Sequence, residues 1–285
     1  MKLAIASGKG GTGKSTVAAN LAYVISKSGQ HVTLADCDVE CPNLHLFFQS
    51  EESEVIDVSV RVPVIDASAC KFCGKCSEMC RYNAISVFPG HSIVFPELCH
   101  SCGGCVLICP EHAITEKDRN VGIVKITSPE GYNNITLITG ILNENERSSV
   151  PVINRVKSLL DGQEITIIDM APGTSCNMVS GVSGCDYCAL VTDPTPFGLH
   201  DLRLAVEVLR KLKVPCGVII NRSVDRDSII EDYCSKEGIE IIGKIPYDPA
   251  IARIYSNGGL PAEKIPGVSD MLVSIYNRIV RKGGQ

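Results

Sequence analysis

Gly8-Lys9-Gly10-Gly11-Thr12-Gly13-Lys14-Ser15-Thr16 decides the fold. It follows a short apolar run, Lys2 to Ser7. It opens a segment, Ser15 to Lys27, in which Val17, Leu21, Val24 and Ile25 recur at helical spacing before Gly29. Strand, glycine-rich turn and helix in that order, with G-x-x-x-x-G-K-[ST] across the turn, read as a phosphate-binding loop. The glycines let backbone N–H groups curl around phosphate oxygens beside the positive end of the helix. Lys14 is expected to reach the β/γ-phosphates, and the Ser15 hydroxyl to ligate Mg²⁺. A glycine-rich turn that binds nothing is the bland alternative.

Outward from this loop, short apolar runs recur at 31–35, 135–139, 165–168, 189–192, 217–220 and 239–242. Helical patterns separate most of them, as at 199–211 and 227–236, so a doubly wound α/β fold with a mostly parallel sheet is expected. The 285 residues include 45% hydrophobic and 21% charged residues, ample for a buried core and unlike a disordered chain. With 27 Lys+Arg against 32 Asp+Glu the net charge is −5, which gives no global field for nucleic acid. No apolar run reaches the roughly 18 residues of a membrane span. No signal peptide is recognisable either, so a cytoplasmic protein without stable membrane insertion is expected.

Fifteen cysteines are far more than ordinary usage, and in a reducing compartment they point to metal. Eight fall between Arg61 and Asp118, where the α/β alternation stops. Cys70, Cys73, Cys76 and Cys80 recur as Cys99, Cys102, Cys105 and Cys109, each at an offset of 29. C-x₂-C-x₂-C-x₃-C is the bacterial ferredoxin run, in which the fourth cysteine ligates the other cluster. One 4Fe–4S cluster is then assigned to Cys70, Cys73, Cys76 and Cys109, and the other to Cys99, Cys102, Cys105 and Cys80. Zinc is the alternative, but it usually shows paired C-x₂-C units. Pro110 follows the second run as the pattern expects, whereas Arg81 stands at the matching place after Cys80. The expected organisation is a phosphate-loop domain in two parts, 1–60 and 119–285, around a small α+β ferredoxin-like insert at 61–118.

The extra lysine, Lys9, makes the loop resemble the deviant Walker A motif of the MinD/ParA/nitrogenase-iron-protein class of P-loop ATPases. Leu34-Ala-Asp36-Cys-Asp38 resembles its switch I, and Ile165-Thr-Ile-Ile-Asp169-Met-Ala-Pro-Gly173 its Walker B and switch II. Ile219-Ile-Asn221-Arg222 and Ile245-Pro246-Tyr247-Asp248 resemble the segments beside the adenine. Together with the insert, the chain resembles MinD-superfamily ATPases carrying an inserted ferredoxin domain. The resemblance implies binding of ATP or ADP and slow hydrolysis. Gly8, Gly10, Gly11, Thr12, Gly13, Lys14, Ser15 and Thr16 would hold the phosphates, and Asp36 and Asp169 would hold Mg²⁺ with Ser15. Asp38 would act on the attacking water, while Lys9 would reach nucleotide across a face-to-face dimer. The partner would be a second copy or a paralogous ATPase, joined by a redox or cofactor-accepting protein. Three functions follow from the combination: ATP-gated electron transfer, cofactor delivery, or a positional ATPase with structural clusters.

Some signals are weaker. Cys185-Asp-Tyr-Cys188 is a C-x-x-C of the kind through which related cluster carriers hold iron and sulfur between subunits, but Cys188 is expected to open a buried strand. Cys37, Cys41 and Cys176 flank the two switches. His45 and His200 show no ligand spacing, and the amphipathic segment 271–282 fits a helix docked on the sheet better than one on a membrane.

Overall fold

The structure, a computed structural model, describes residues 1–50, 53–224 and 227–283. β1 (Lys2–Ala6) runs into the glycine-rich turn that opens α1 (Lys14–Lys27), and β2 (Val32–Cys37) follows. β3 (Glu54–Ile65) leads out to α2 (Lys75–Met79), the hairpin β4 (Ile85–Phe88) and β5 (His91–Val94), and α3 (Gly104–Ile108). β6 (Ile114–Thr127) leads back to β7 (Ile135–Leu142), α4 (Val150–Ser158), β8 (Thr166–Met170) and α5 (Cys176–Val182). Next come β9 (Tyr187–Thr192), α6 (Pro196–Leu212), β10 (Cys216–Ser223), α7 (Ser228–Glu237) and β11 (Glu240–Pro246). Three helices follow, α8 (Pro249–Ser256), α9 (Pro261–Lys264) and α10 (Pro266–Gly283).

Nine strands form one sheet in the order β11-β10-β9-β1-β8-β2-β7-β6-β3. The seven from β11 to β7 are parallel, and β6 and β3 add an antiparallel edge. Apolar side chains point to both faces of the central strands, as a sheet covered on both sides requires. On β1, Leu3 and Ile5 join the core under α1 and α10, while Ala4 and Ala6 join the core under α4 to α7. Small residues on the second face admit helices close to the sheet. Gly140, for instance, leaves no room for a Cβ, which would lie 2.9 Å from Val156 of α4.

The expected doubly wound sheet is present, with one difference. Arg61 and Asp118, read as the edges of the insert, face each other inside the β3–β6 ladder. The two strands therefore run without a break from the host sheet into the cysteine-rich region. α10 docks as expected, burying Val268, Leu272, Ile275 and Ile279 against α1 and β11. Among the described residues no helix is long and apolar enough to cross a membrane. Truncating Ile275 to Ala should lower unfolding free energy by about 2–4 kcal/mol in denaturant titration. Val273→Ala, on the outer face of the same helix, should cost about 0.5 kcal/mol or less.

Candidate functional site

The turn after β1 needs glycine for two separate reasons. Gly11 and Gly13 have φ of +75° and +95°, the left-handed region that favours glycine. Gly8 and Gly13 are also crowded: a Cβ on Gly8 would lie 2.2 Å from the Asp201 carbonyl oxygen, and one on Gly13 would lie 2.3 Å from Asn221 Nδ2. Thr12 and Lys14 are buried, and no acidic residue occupies the first turn of α1. The positive end of that helix is left for an anion.

Two carboxylates meet below the loop. Asp36 and Asp169 end adjacent strands as register partners, and both are fully buried. Their surroundings differ sharply. Asp36 accepts backbone N–H bonds from Asp38 at 3.1 Å, Asn43 at 2.9 Å and Leu44 at 3.0 Å, and so folds the turn after β2. Neither oxygen of Asp169 has a partner in good hydrogen-bond geometry, and the Ser15 hydroxyl is the nearest group to favour its charge besides Lys14. Burial first, and then the neighbouring Asp36 charge, push the Asp169 carboxyl above the usual carboxylate range, with the Lys14 ammonium opposing. Burial also raises Asp38, which faces the cleft near Lys14. A buried carboxylate with free oxygens beside a hydroxyl-bearing loop fits a hard divalent cation.

The cleft above has a volume of about 320 Å³. Gly10, Gly11, Gly13, Lys14, Ser15 and Thr16 form one wall with Asp38. Asn221, Arg222, Pro246, Tyr247 and Asp248 form the other. Asn221 also braces the loop itself, donating from Nδ2 to the Thr12 carbonyl at 2.7 Å. Asp248 caps α8 by accepting from the Ala250 N–H at 2.7 Å. The sequence reading missed the far end of the cleft, where Val17 and Asn20 of α1 meet Ile251 and Tyr255 of α8 and Leu272 of α10. The amphipathic pattern of α8 was the available signal. Lys9 does not enter the cleft. Its ammonium lies 2.9 Å from Asp193 Oδ1 at the end of β9, and both side chains are partly buried.

The cysteine repeat is a repeat of backbone as well as of sequence. Positive φ recurs at an offset of 29, at Phe72 and Ser101, at Gly74 and Gly103, and at Asn83 and His112. So do N–H bonds to sulfur: Phe72 to Cys70 and Ser101 to Cys99, both 3.4 Å, then Ala84 to Cys80 at 3.3 Å and Ala113 to Cys109 at 3.4 Å. One cavity is lined by Cys70, Cys73, Cys76 and Cys109, and another by Cys80, Cys99, Cys102 and Cys105. The fourth cysteine of each run thus turns to the other run's cavity. Among the described residues no three His, Cys, Asp or Glu side chains stand close enough to share one metal ion. Four soft donors lining each cavity, with N–H groups aimed at sulfur, suit an iron–sulfur cluster. The second cavity is flanked by Tyr82 and His100, stacked with centroids 3.6 Å apart. The host thiols divide differently. Cys37, Cys185 and Cys188 are buried in the core, whereas Cys41 and Cys176 are exposed. The Cys185–Cys188 pair is closed to solvent.

Comparison with known proteins agrees with this geometry. An uncharacterised protein of Methanocaldococcus jannaschii is 33% identical over 264 residues, covering 90% of each chain. An iron–sulfur cluster carrier protein of Pyrococcus abyssi is 27% identical over 278 residues, covering 91% of this chain and 78% of that one. The cell division ATPase MinD of Pyrococcus furiosus has the same fold, with a TM-score of 0.62 and 20% identity across 98% of both chains. The CobQ/CobB/MinD/ParA nucleotide-binding domain matches residues 3–261, a span that includes the phosphate loop, both buried carboxylates and the Asn221 wall of the cleft. With that match over most of its length, the chain belongs to the CobQ/CobB/MinD/ParA nucleotide-binding family.

Proposed function

We propose that the protein is an ATPase in which a nucleotide-driven dimer switch gates electron transfer from two 4Fe–4S clusters to a partner protein. The observation that carries this reading is the presence, in one chain, of the phosphate-loop cleft and two sulfur-ringed cavities. In the cleft, Lys14 and the loop N–H groups hold the phosphates, and Asp38 orients the attacking water. Asp169 and Ser15 hold the Mg²⁺ that accompanies the nucleotide and neutralises phosphate charge. Asp36 contributes mainly by folding the turn that carries Asp38. Cluster ligands drawn from both runs fix each cluster firmly, which suits a resident electron carrier.

A second reading, delivery of an iron–sulfur cluster to a target, is favoured by the carrier protein of Pyrococcus abyssi. The burial of Cys185 and Cys188 speaks against a transferable cluster held by that pair. Either way the active form is a dimer, of two copies or of this chain with a paralogue.

Anaerobic iron analysis tests the cluster assignment. About eight irons per chain are expected, and Cys76→Ser with Cys105→Ser should lose most of them. Substantial iron left in that variant would place a cluster in the host domain.

Lys14→Ala should abolish nucleotide binding in calorimetry by removing a phosphate counter-charge. Asp38→Ala should bind ATP but hydrolyse it about 10²-fold more slowly or worse, since its part is played in the transition state. Turnover at the wild-type rate would remove Asp38 from the reaction.

Lys9 is held by Asp193 within its own chain, so reaching an opposing nucleotide requires breaking a partly buried ion pair. Lys9→Ala should keep ATP affinity but lose ATP-dependent dimerisation in sedimentation velocity. Asp193→Asn, which frees the lysine, should shift dimerisation to lower ATP concentration.

A further inference from the structure

β6 is longer than the support beneath it. Residues 122–127 pair with β7, but the strand continues outward to Ile114 against β3 alone. Near the point where β7 ends, the β3–β6 ladder is irregular between Val58 and Ser59, which face Gly122 and Asn120 and leave Val121 as the extra residue. A bulge bends a ribbon and raises its local twist. Beyond it, residues 59–65 and 114–120 form a two-stranded arm that carries the cysteine-rich region.

Arg119 ties this arm to the host. Its guanidinium grips Glu146 with two prongs, Nη2 to Oε2 at 2.9 Å and a second contact from Nη1 to Oε1. The two side chains are 24% and 10% exposed, so the pair is shielded and of the strong, bidentate kind. Glu146 lies in the loop 143–149 between β7 and α4. Three residues later in that loop, the buried Ser149 hydroxyl lies 3.1 Å from Glu40 Oε1 and 2.7 Å from Asn177 Oδ1. Asn177 Nδ2 donates to the same Glu40 oxygen at 3.2 Å. Glu40 is two residues beyond Asp38, and Asn177 lies in the first turn of α5, just after the 171–173 segment. A hydroxyl has one proton, so Ser149 can satisfy one of its two acceptors at a time. One loop thus holds the Asp38 turn, the start of α5 and the base of the arm. On the arm side, Arg119 also lies in the field of Glu97 and Cys99, at the start of the second cysteine run.

We propose that loop 143–149 is the mechanical link between the nucleotide cleft and the cluster-bearing arm. Movement of Glu40 and Asn177 on nucleotide binding passes through Ser149 and Glu146 to Arg119, and resets the arm at the bulge opposite Val58 and Ser59. This rests on the nucleotide-gated function proposed above and supplies its route. It makes Glu146 and Ser149 positioning residues, since neither lines the cleft or a cysteine cavity.

Hydrogen exchange on the anaerobic, iron-loaded protein, with and without Mg²⁺ and a non-hydrolysable ATP analogue, tests the link. In the wild type, arm amides in 59–65 and 114–120 should change exchange rate about fivefold or more when the analogue binds. Glu146→Gln should keep iron content and analogue affinity and lose that response. Ser149→Ala, which cuts the route at its other end by a small deletion, should lose it too. Arg119→Lys, which keeps the charge but only one prong, should retain part of it. A wild-type response in both Glu146→Gln and Ser149→Ala would make the pair a static strut and overturn the proposal. Analogue binding without any arm response in the wild type would overturn it as well. An arm response in protein that holds no iron would leave the link standing and sink the electron-transfer reading instead.

Discussion

Two buried carboxylates side by side, Asp36 and Asp169, set the terms for the rest of the molecule. Adjacent parallel strands place them as neighbours, and a pair of buried like charges is unfavourable unless each finds compensation. Asp36 finds it in three backbone N–H groups, and in doing so shapes the turn that presents Asp38. Asp169 has only the Lys14 ammonium and the Ser15 hydroxyl to favour its charge. The site is therefore built with a deficit of positive charge that a cation arriving with nucleotide would fill. Chemical need and switch geometry have the same origin, because the residue that folds the turn is also the one that raises its neighbour's proton affinity.

Much of this was legible in the sequence because it rests on local rules. The phosphate loop depends on glycines at fixed places, and the parallel sheet on apolar runs separated by helical patterns. The turning of each run's fourth cysteine to the other run's cavity was legible because the runs are short and repeated. What escaped was set by long-range contact. The pairing of Lys9 with Asp193 spans 184 positions and no local pattern announces it. The different duties of Asp36 and Asp169 depend on which backbone N–H groups come within reach. The strands β3 and β6 were hidden for another reason. Val58, Val60, Val62 and Val64 alternate as a strand should, but the cysteine runs that follow drew the boundary into the middle of the ladder.

The cysteine cavities and the phosphate-loop cleft are opposite kinds of environment. The cleft is assembled from distant strand ends and helices, so its shape depends on the whole sheet. The cysteine cavities are made mainly by two short segments with matching backbone twists, closed by the outer ends of β3 and β6. Coupling two such sites calls for an intermediate that touches both, and the loop after β7 is placed to do so.

β3 is the outermost strand of the sheet, and the cysteine-rich region hangs from it and from β6. An edge strand has one hydrogen-bonding side free, so a chain can leave and return there without interrupting any interior ladder. The seven parallel strands from β11 to β7 are contiguous without it. Pro63 and the charges of Asp57 and Arg61 along β3 discourage the free edge from recruiting a strand of another molecule. On the cluster reading proposed above, this separates two supply problems: the host sheet can complete its core from polypeptide alone, and iron and sulfide are needed only afterwards, at the periphery. A cell short of iron would then hold a folded reserve of the protein awaiting its metal, in place of an aggregated one.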